Sequence, residues 1–187
     1  MARGQALGLG DFGRYLRNPA GRNERTLAEV YEGAVDALRT RRVPFLVHGA
    51  LAMSAYGFDR MTGDVDFLVF VGESSVRGVF DAMAAIGASP APPGPRDADT
   101  QLARMRRRIR GASRVRFEAG GGWFVDFFFD ADFRRVASRA LRKRLGARVV
   151  RVIAPRDLAA RKAAHGTRKD LIDLDWMREN VLPRRRT

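Results

Sequence analysis

The chain has no cysteine and only two histidines, His48 and His165, among its 187 residues. The lack of cysteine excludes a disulfide framework, a thiolate metal site and a cysteine nucleophile. With so few histidines, any metal site is expected to use carboxylate oxygens, which suit Mg²⁺ or Mn²⁺. No apolar run approaches the ~20 residues of a membrane-spanning helix, and the first residues lack the apolar stretch of a signal peptide. We therefore expect a cytoplasmic protein with no membrane partner.

Basic residues strongly outnumber acidic ones. Lys and Arg total 35 and Asp and Glu total 21, which gives a formal net charge of +14. This charge favours a polyanionic partner, above all nucleic acid. Two other interpretations stay open, because arginine excess also follows from the codon bias of a GC-rich genome and because charge alone promotes solubility. Hydrophobic residues make up 45% of the chain, which is enough for one well-packed domain.

The apolar spacing predicts a mixed α/β fold, a twisted mixed sheet flanked by helices with a small helical C-terminal extension. We expect a single domain over residues 23–183, preceded by a flexible arm over 1–22 and followed by a basic tail over 184–187. The predicted elements are, in chain order, a helix capped by Asn23 with its apolar face from Leu27 to Leu38, a strand over 45–47, a helix over 49–56, a strand over 64–70, a helix capped by Ser75, an irregular loop over 88–98, strands over 114–118, 123–129 and 149–153, and helices over 155–165 and 167–180.

Asp64 and Asp66 lie two residues apart on the predicted strand 64–70. Such residues point to the same face, with Cα atoms ~7 Å apart, so their carboxylates can converge on metal ions. Two adjacent ionised carboxylates repel one another, and a cation between them removes that cost. The alternative is a solvent-facing strand end, where aspartate is common.

Asp126 lies in the run Trp123–Phe129, where its six neighbours are apolar. An unpaired carboxylate there would cost several kcal/mol. A salt bridge to one of the many arginines is one solution. A role as third metal ligand or general base is favoured, because the carboxylate pair of Asp64 and Asp66 lies on another strand of the predicted sheet. Three acidic groups on neighbouring strands would form the oxygen-rich cage that magnesium and phosphates use.

The segment Val47-His48-Gly49-Ala50 passes from a strand to a helix. It offers free backbone N–H groups beside the acidic site, which suits phosphate oxygens. His48 is either a core histidine that caps a backbone group or a contact to a phosphate. The arginines between Arg104 and Arg116 form either a solvated face or a track for a phosphate backbone.

Two motifs run through these segments. The first is Phe45-Leu46-Val47-His48-Gly49-Ala50-Leu51-Ala52 followed by Gly57-x-x-Arg60-x-Thr62-x-Asp64-x-Asp66. The second is Ile153-Ala-Pro155-x-Asp157-Leu158-x-x-x-Lys162 followed by Arg168-Lys169-Asp170-x-x-Asp173. Together they resemble the active-site signature of the DNA polymerase β-like nucleotidyltransferase superfamily, and within it they are similar to the small bacterial group of minimal nucleotidyltransferases and abortive-infection toxins. The likeness spans roughly residues 27–180.

The resemblance implies a role for each matching position. Asp64 and Asp66 would hold two metal ions, and Asp126 would complete the site and help deprotonate the attacking hydroxyl. The nucleoside triphosphate would contact His48, Gly49, Ala50, Arg60, Thr62 and Lys162. The acceptor or nucleotide would be shaped by Arg168, Lys169 and Asp170. Ala50 departs from the pattern, because members often carry Gly or Ser there, and a serine hydroxyl for phosphate is therefore absent.

The activity implied is Mg²⁺- or Mn²⁺-dependent transfer of a nucleoside monophosphate from a nucleoside triphosphate to a hydroxyl. The basic charge favours tRNA or other RNA as acceptor, with a protein as another choice, and the family resemblance implies a toxin with a cognate antitoxin. Two alternatives remain. One is transfer to an aminoglycoside-type antibiotic, against which the positive charge argues; the other is an inactive fold that binds nucleic acid, against which the three aspartates argue.

Overall fold

The computed structural model describes residues 25–58, 61–108, 111 and 113–182. The elements of these residues are, in chain order, α1 (Leu27–Thr40), β1 (Phe45–Val47), α2 (Gly49–Ala55), β2 (Asp64–Phe70), α3 (Glu73–Ala85), β3 (Ser89–Pro90), α4 (Ala98–Arg106), β4 (Arg114–Glu118), β5 (Phe124–Asp130), α5 (Phe133–Arg139), β6 (Leu141–Leu145), β7 (Arg148–Val152), α6 (Pro155–His165) and α7 (Arg168–Asn180). Their strands form one seven-stranded sheet in the order β3-β4-β5-β2-β1-β7-β6. The predicted α/β class with a mixed sheet is confirmed.

The centre of the sheet is the parallel pair of β2 and β5. Asp66 lies directly opposite Asp126 in this pair, and neighbouring strands are ~4.8 Å apart. β1 and β4 flank the pair on either side and run antiparallel to β2 and β5 respectively. The side chains of Val65 and Phe67, which alternate with the two aspartates of β2, are fully buried. The sheet therefore presents its acidic residues on one face while the opposite face builds the core.

Helix α1 buries the apolar face that the spacing predicts, with Leu27, Val30, Tyr31, Ala34, Val35 and Leu38 all buried. Its cap differs from the expected Asn23, which lies outside the described residues. Thr26 is the N-cap, because its hydroxyl accepts from the backbone of Glu29 while the Glu29 carboxylate accepts from the backbone of Thr26. This reciprocal capping box satisfies two helix-end donors together.

The other differences concern elements with weak apolar patterns. The cap expected at Ser75 is wrong, because α3 begins at Glu73 after the N-cap Gly72, where the acidic side chain suits the positive end of the helix dipole. The predicted loop 88–98 contains the two-residue strand β3. Helices α4 and α5 and strand β6 were not predicted; β6 is an edge strand with mostly exposed, basic side chains, so it lacks the alternation that marks a half-buried strand.

No helix in the described part of the chain is both long enough and apolar enough to cross a bilayer. The predicted arm 1–22, the site residue Arg60 and the tail 184–187 lie outside the described residues. The single-domain boundaries at 23 and 183 stay a prediction.

Candidate active site

Three carboxylates converge on one face of the central strands. Asp64 and Asp66 on β2 and Asp126 on β5 each offer one ligand oxygen, and these oxygens all lie within 4.8 Å of one another. The register explains the convergence, because Asp66 and Asp126 are paired across the parallel ladder and Asp64 is two residues before Asp66 on the same face. A set of oxygen donors this close together matches the ligand preference of Mg²⁺ or Mn²⁺.

Asp126 is buried and is held by two arginines of the neighbouring strand β4. Arg114 Nη2 and Arg116 Nη2 each lie 2.6 Å from Asp126 Oδ2. Arg116 Nε lies 2.9 Å and Arg114 Nε 3.2 Å from Asp126 Oδ1. Arg116 Nη2 also lies 3.3 Å from Asp64 Oδ2. The salt-bridge interpretation of Asp126 is therefore correct for this structure, and the arginines satisfy a carboxylate that would otherwise be unpaired in the sheet.

Among the described residues, the guanidiniums of Arg114 and Arg116 pair with these carboxylates. Burial, followed by the nearby Asp64 and Asp126, raises the pKa of the Asp66 carboxyl from 3.8 to about 7, against weaker lowering by Arg114 and Lys162. A divalent cation among the three side chains would favour the ionised form. The residues present therefore fit a metal site.

Asp64 is oriented by Thr62, which the resemblance placed among the nucleotide contacts. The Thr62 hydroxyl lies 2.7 Å from Asp64 Oδ1, to which it donates a hydrogen bond. This bond fixes the rotamer of a half-exposed carboxylate that has few other partners. Thr62 therefore acts on the acidic site through Asp64.

Gly49 is required by the close approach of Asp66. Its φ is +62°, and a Cβ atom built on it would lie 1.8 Å from Asp66 Oδ2. The His48 backbone N–H donates to the Asp66 carbonyl at 2.9 Å, which holds the strand-to-helix segment against β2. A side chain at position 49 would push the carboxylate out of the site. The residue after it, Ala50, is buried in the first turn of α2.

His48 does not cap a backbone group, so that interpretation is wrong. Both of its ring nitrogens are shielded from solvent and have no hydrogen-bond partner among the described residues. Burial, followed by Arg161 and Lys162, lowers the pKa of the ring to about 3, so the imidazole is neutral at ordinary pH. A neutral ring with an unpaired N–H can donate to an anion that enters beside it.

Lys162 is buried between two carboxylates of α7 and is not a solvated surface side chain. Its Nζ lies 3.3 Å from Asp170 Oδ1 and also bonds Asp173. Asp170 completes a capping box with Thr167 and accepts from Thr167 Oγ1 at 2.6 Å and from His165 Nδ1 at 2.7 Å. These contacts join α6 to α7 beside the acidic triad.

A cleft of about 1060 Å³ connects these groups. Of the predicted site residues that the structure describes, only Arg168 does not line it; the lining includes Asp64, Asp66, Asp126, His48, Gly49, Ala50, Thr62, Lys162, Lys169 and Asp170. The structure therefore brings together the predicted segments from four parts of the chain. Arg114, Arg161 and Asp173 also line the cleft, and neither arginine was assigned to the site from sequence. The alternating arginines of the predicted strand 114–118 were the available signal for Arg114 and Arg116.

The fold is that of the nucleotidyltransferases. The lincosamide antibiotic adenylyltransferase LnuA, solved with lincomycin bound, superposes with a TM-score of 0.56 at 13% identity, over 82% of this chain and 96% of that chain. ANT(2″)-Ia, solved in complex with adenylyl-2″-tobramycin, gives a TM-score of 0.57 at 12% identity, over 79% of this chain and 85% of that chain. At these identities the likeness shows the fold alone. A search of curated protein sequences finds no significant match.

The sequence profile described as nucleotidyl transferase AbiEii toxin, Type IV TA system, matches residues 36–186. The chain belongs to this family and is a nucleotidyltransferase. Enzymes of this class use a nucleoside triphosphate and a divalent metal, and the acidic triad provides a set of ligands for such a metal.

Proposed function

We propose that this enzyme transfers a nucleoside monophosphate from a nucleoside triphosphate to a hydroxyl of an RNA, with tRNA as the first choice. The observation that carries the proposal is the convergence of Asp64, Asp66 and Asp126 within 4.8 Å at the wall of a large cleft. Three carboxylates held within 4.8 Å of one another are costly for a protein that only binds nucleic acid. The formal net charge of +14 supports a polyanionic acceptor over a cationic antibiotic.

In the proposed reaction the acceptor hydroxyl oxygen forms a bond to the α-phosphorus, the bond from that phosphorus to the bridging oxygen breaks, and pyrophosphate leaves. Asp64, Asp66 and Asp126 would hold the divalent metal, Mg²⁺ or Mn²⁺, which when bound would neutralise phosphate charge and align the in-line path. Asp126 takes up the proton of the attacking hydroxyl. The backbone at Gly49 and Ala50 and the neutral ring of His48 face the triphosphate.

The helical side of the cleft provides the remaining contacts. Lys162, held by Asp170 and Asp173, places a fixed positive charge near the phosphates. Lys169 and Asp170 line the same wall and bind the acceptor or the nucleotide in this proposal, whereas the role of Arg168, which does not line the cleft, stays a prediction from the resemblance. The family further supports a toxin whose action is countered by a cognate antitoxin.

Incubation with each of the four α-labelled nucleoside triphosphates and Mg²⁺ tests the proposal. The acceptors are total RNA, a protein extract freed of RNA, lincomycin and tobramycin, each offered separately. We expect ribonuclease-sensitive label in the RNA sample alone. Label confined to protein or to an antibiotic would refute the RNA acceptor, and no label with any acceptor, together with RNA binding, would indicate an inactive binding protein.

Asp64→Asn and Asp66→Asn are the matched variants for this assay. Each keeps the side-chain shape and removes one of the repelling charges, so label transfer is abolished while thermal stability is unchanged or higher. Wild-type turnover in either variant would contradict the assignment of the metal ligands.

A further inference from the structure

The guanidinium of Arg116 lies between two of the three carboxylates. It donates to both oxygens of Asp126 and, through Nη2, also approaches Asp64 Oδ2 at 3.3 Å. Of the three carboxylates, Arg114 pairs only with Asp126. Arg116 therefore bridges the strands at the place where a cation shared by Asp64 and Asp126 would bind.

The acceptor capacity of Asp126 is fully used in this arrangement. A carboxylate offers about four lone-pair positions, and each Asp126 oxygen accepts one bond from Arg114 and one from Arg116. A metal ion that takes an Asp126 oxygen must therefore displace at least one of these bonds. Displacing Arg116 frees an oxygen of Asp64 in the same movement, whereas displacing Arg114 does not.

We propose that Arg116 is a resident counter-cation of the metal-free site, which a metal–triphosphate complex displaces and whose guanidinium then pairs with the triphosphate. The inference rests on the proposed function and adds to it an order of binding, in which the metal enters together with the triphosphate. The metal alone binds weakly, because it must compete with Arg116. The metal bound to a triphosphate binds well, because the triphosphate provides an anionic partner for the released guanidinium.

Two features of the surroundings suit such an exchange. Arg116 lies over the Phe124 ring, with the guanidinium carbon 4.7 Å from the ring centroid, so a cation–π contact keeps the side chain close when its ion pairs are broken. Arg114 retains a two-point pair with Asp126 and prevents the buried carboxylate from being left without a partner. The site can therefore lose Arg116 without losing the fold.

The experiment measures Mn²⁺ affinity of the full-length chain by electron paramagnetic resonance, and the affinity for Mn²⁺–tripolyphosphate by calorimetry. Arg116→Met keeps an unbranched stem over Phe124 and removes every hydrogen bond. We expect it to bind Mn²⁺ alone about tenfold more tightly than the wild type, since a hydrogen bond to a charged group no longer has to be broken. It should bind Mn²⁺–tripolyphosphate more weakly than the wild type.

Arg116→Lys and Arg106→Met complete the set. Arg116→Lys keeps the charge without the two-nitrogen fork and should lie between the wild type and Arg116→Met in Mn²⁺ affinity. Arg106 is an exposed residue that pairs with Glu73, so Arg106→Met removes the same charge away from the triad and should leave Mn²⁺ affinity unchanged.

Equal or weaker Mn²⁺ binding by Arg116→Met would overturn the inference, as would an equal gain in Arg106→Met. Asp66→Asn separates this failure from failure of the proposed function. If Asp66→Asn abolishes Mn²⁺ binding and label transfer while Arg116→Met binds no more tightly, only the role of Arg116 is wrong. If the wild type binds Mn²⁺–tripolyphosphate no better than Asp66→Asn, the metal site itself is wrong.

Discussion

Gly49→Ala tests how the site is assembled around the close approach of position 49 to Asp66. The new Cβ would lie 1.8 Å from Asp66 Oδ2, whereas ordinary contact begins at 3.4 Å. The carboxylate must therefore retreat by roughly 1.5 Å, and a displacement of ~1 Å at a catalytic group can cost about 100-fold in rate. Alanine at a φ of +62° adds about 1 kcal/mol of backbone strain.

Gly87→Ala is the matched control. Gly87 has a φ of +72°, and a Cβ atom there would meet nothing within 4 Å. Gly87→Ala should lose about 1 kcal/mol in urea unfolding. Gly49→Ala should lose more than this, because its Cβ also meets Asp66, and only Gly49→Ala should lose label transfer, by about 100-fold. Mn²⁺ affinity without nucleotide separates two explanations, because it falls if Asp66 is displaced and is unchanged if Gly49 serves only the approach of the triphosphate. Wild-type transfer and Mn²⁺ binding by Gly49→Ala would refute the reasoning.

Three further outcomes are expected. Thr62→Val removes the hydroxyl that orients Asp64 and should lower kcat by about tenfold with little change in stability. Asp170→Asn should cost about 2 kcal/mol of unfolding free energy at pH 7. Burial raises the pKa of Asp170, but hydrogen bonds from Thr167 and His165 and the charge of Lys162 outweigh it and lower the pKa from 3.8 to about 2. RNA binding by the wild type should weaken by more than about tenfold between roughly 50 and 200 mM salt.

The Asp170 effect has a defined pH dependence. The folded-state pKa lies below the ordinary value, so the stabilisation is complete above about pH 4 and is lost as the pH falls through about 2. Asp175→Asn, at an exposed residue paired with Arg178, is the control and should change stability little at any pH. A constant stability deficit of Asp170→Asn down to pH 2 would contradict the assignment.

For Thr62→Val the control is Thr40→Val, at a surface hydroxyl bonded to the Asp36 carbonyl. For RNA binding, an affinity that does not change with salt would contradict a polyanionic partner.

The acidic pair was predictable because its signal is local. The alternation of Asp64 and Asp66 with Val65 and Phe67 defines both the strand and its exposed face. The adjacency of Asp126 depends on the strand order, in which β5 lies beside β2 although more than 50 residues separate them. The sequence indicated a site role for Asp126 only because a carboxylate among six apolar neighbours requires a partner.

The partners of the charged residues were harder to predict, because they are set by register. Arg114 and Arg116 were placed on a strand correctly, but their pairing with Asp126 follows from the antiparallel register of β4 with β5. Lys162 presents a similar case, since its burial results from the packing of α6 on α7. Strand β6 was missed because an edge strand can consist of exposed basic residues and still satisfy its backbone through β7.

The most direct test of the central claim is an anomalous difference map from crystals grown with Mn²⁺ and a non-hydrolysable nucleoside triphosphate analogue. We predict a peak within about 2.2 Å of oxygens from Asp64, Asp66 and Asp126, with Arg116 withdrawn from Asp126. A map with no peak among these three carboxylates, and with both arginines still paired to Asp126, would contradict the account.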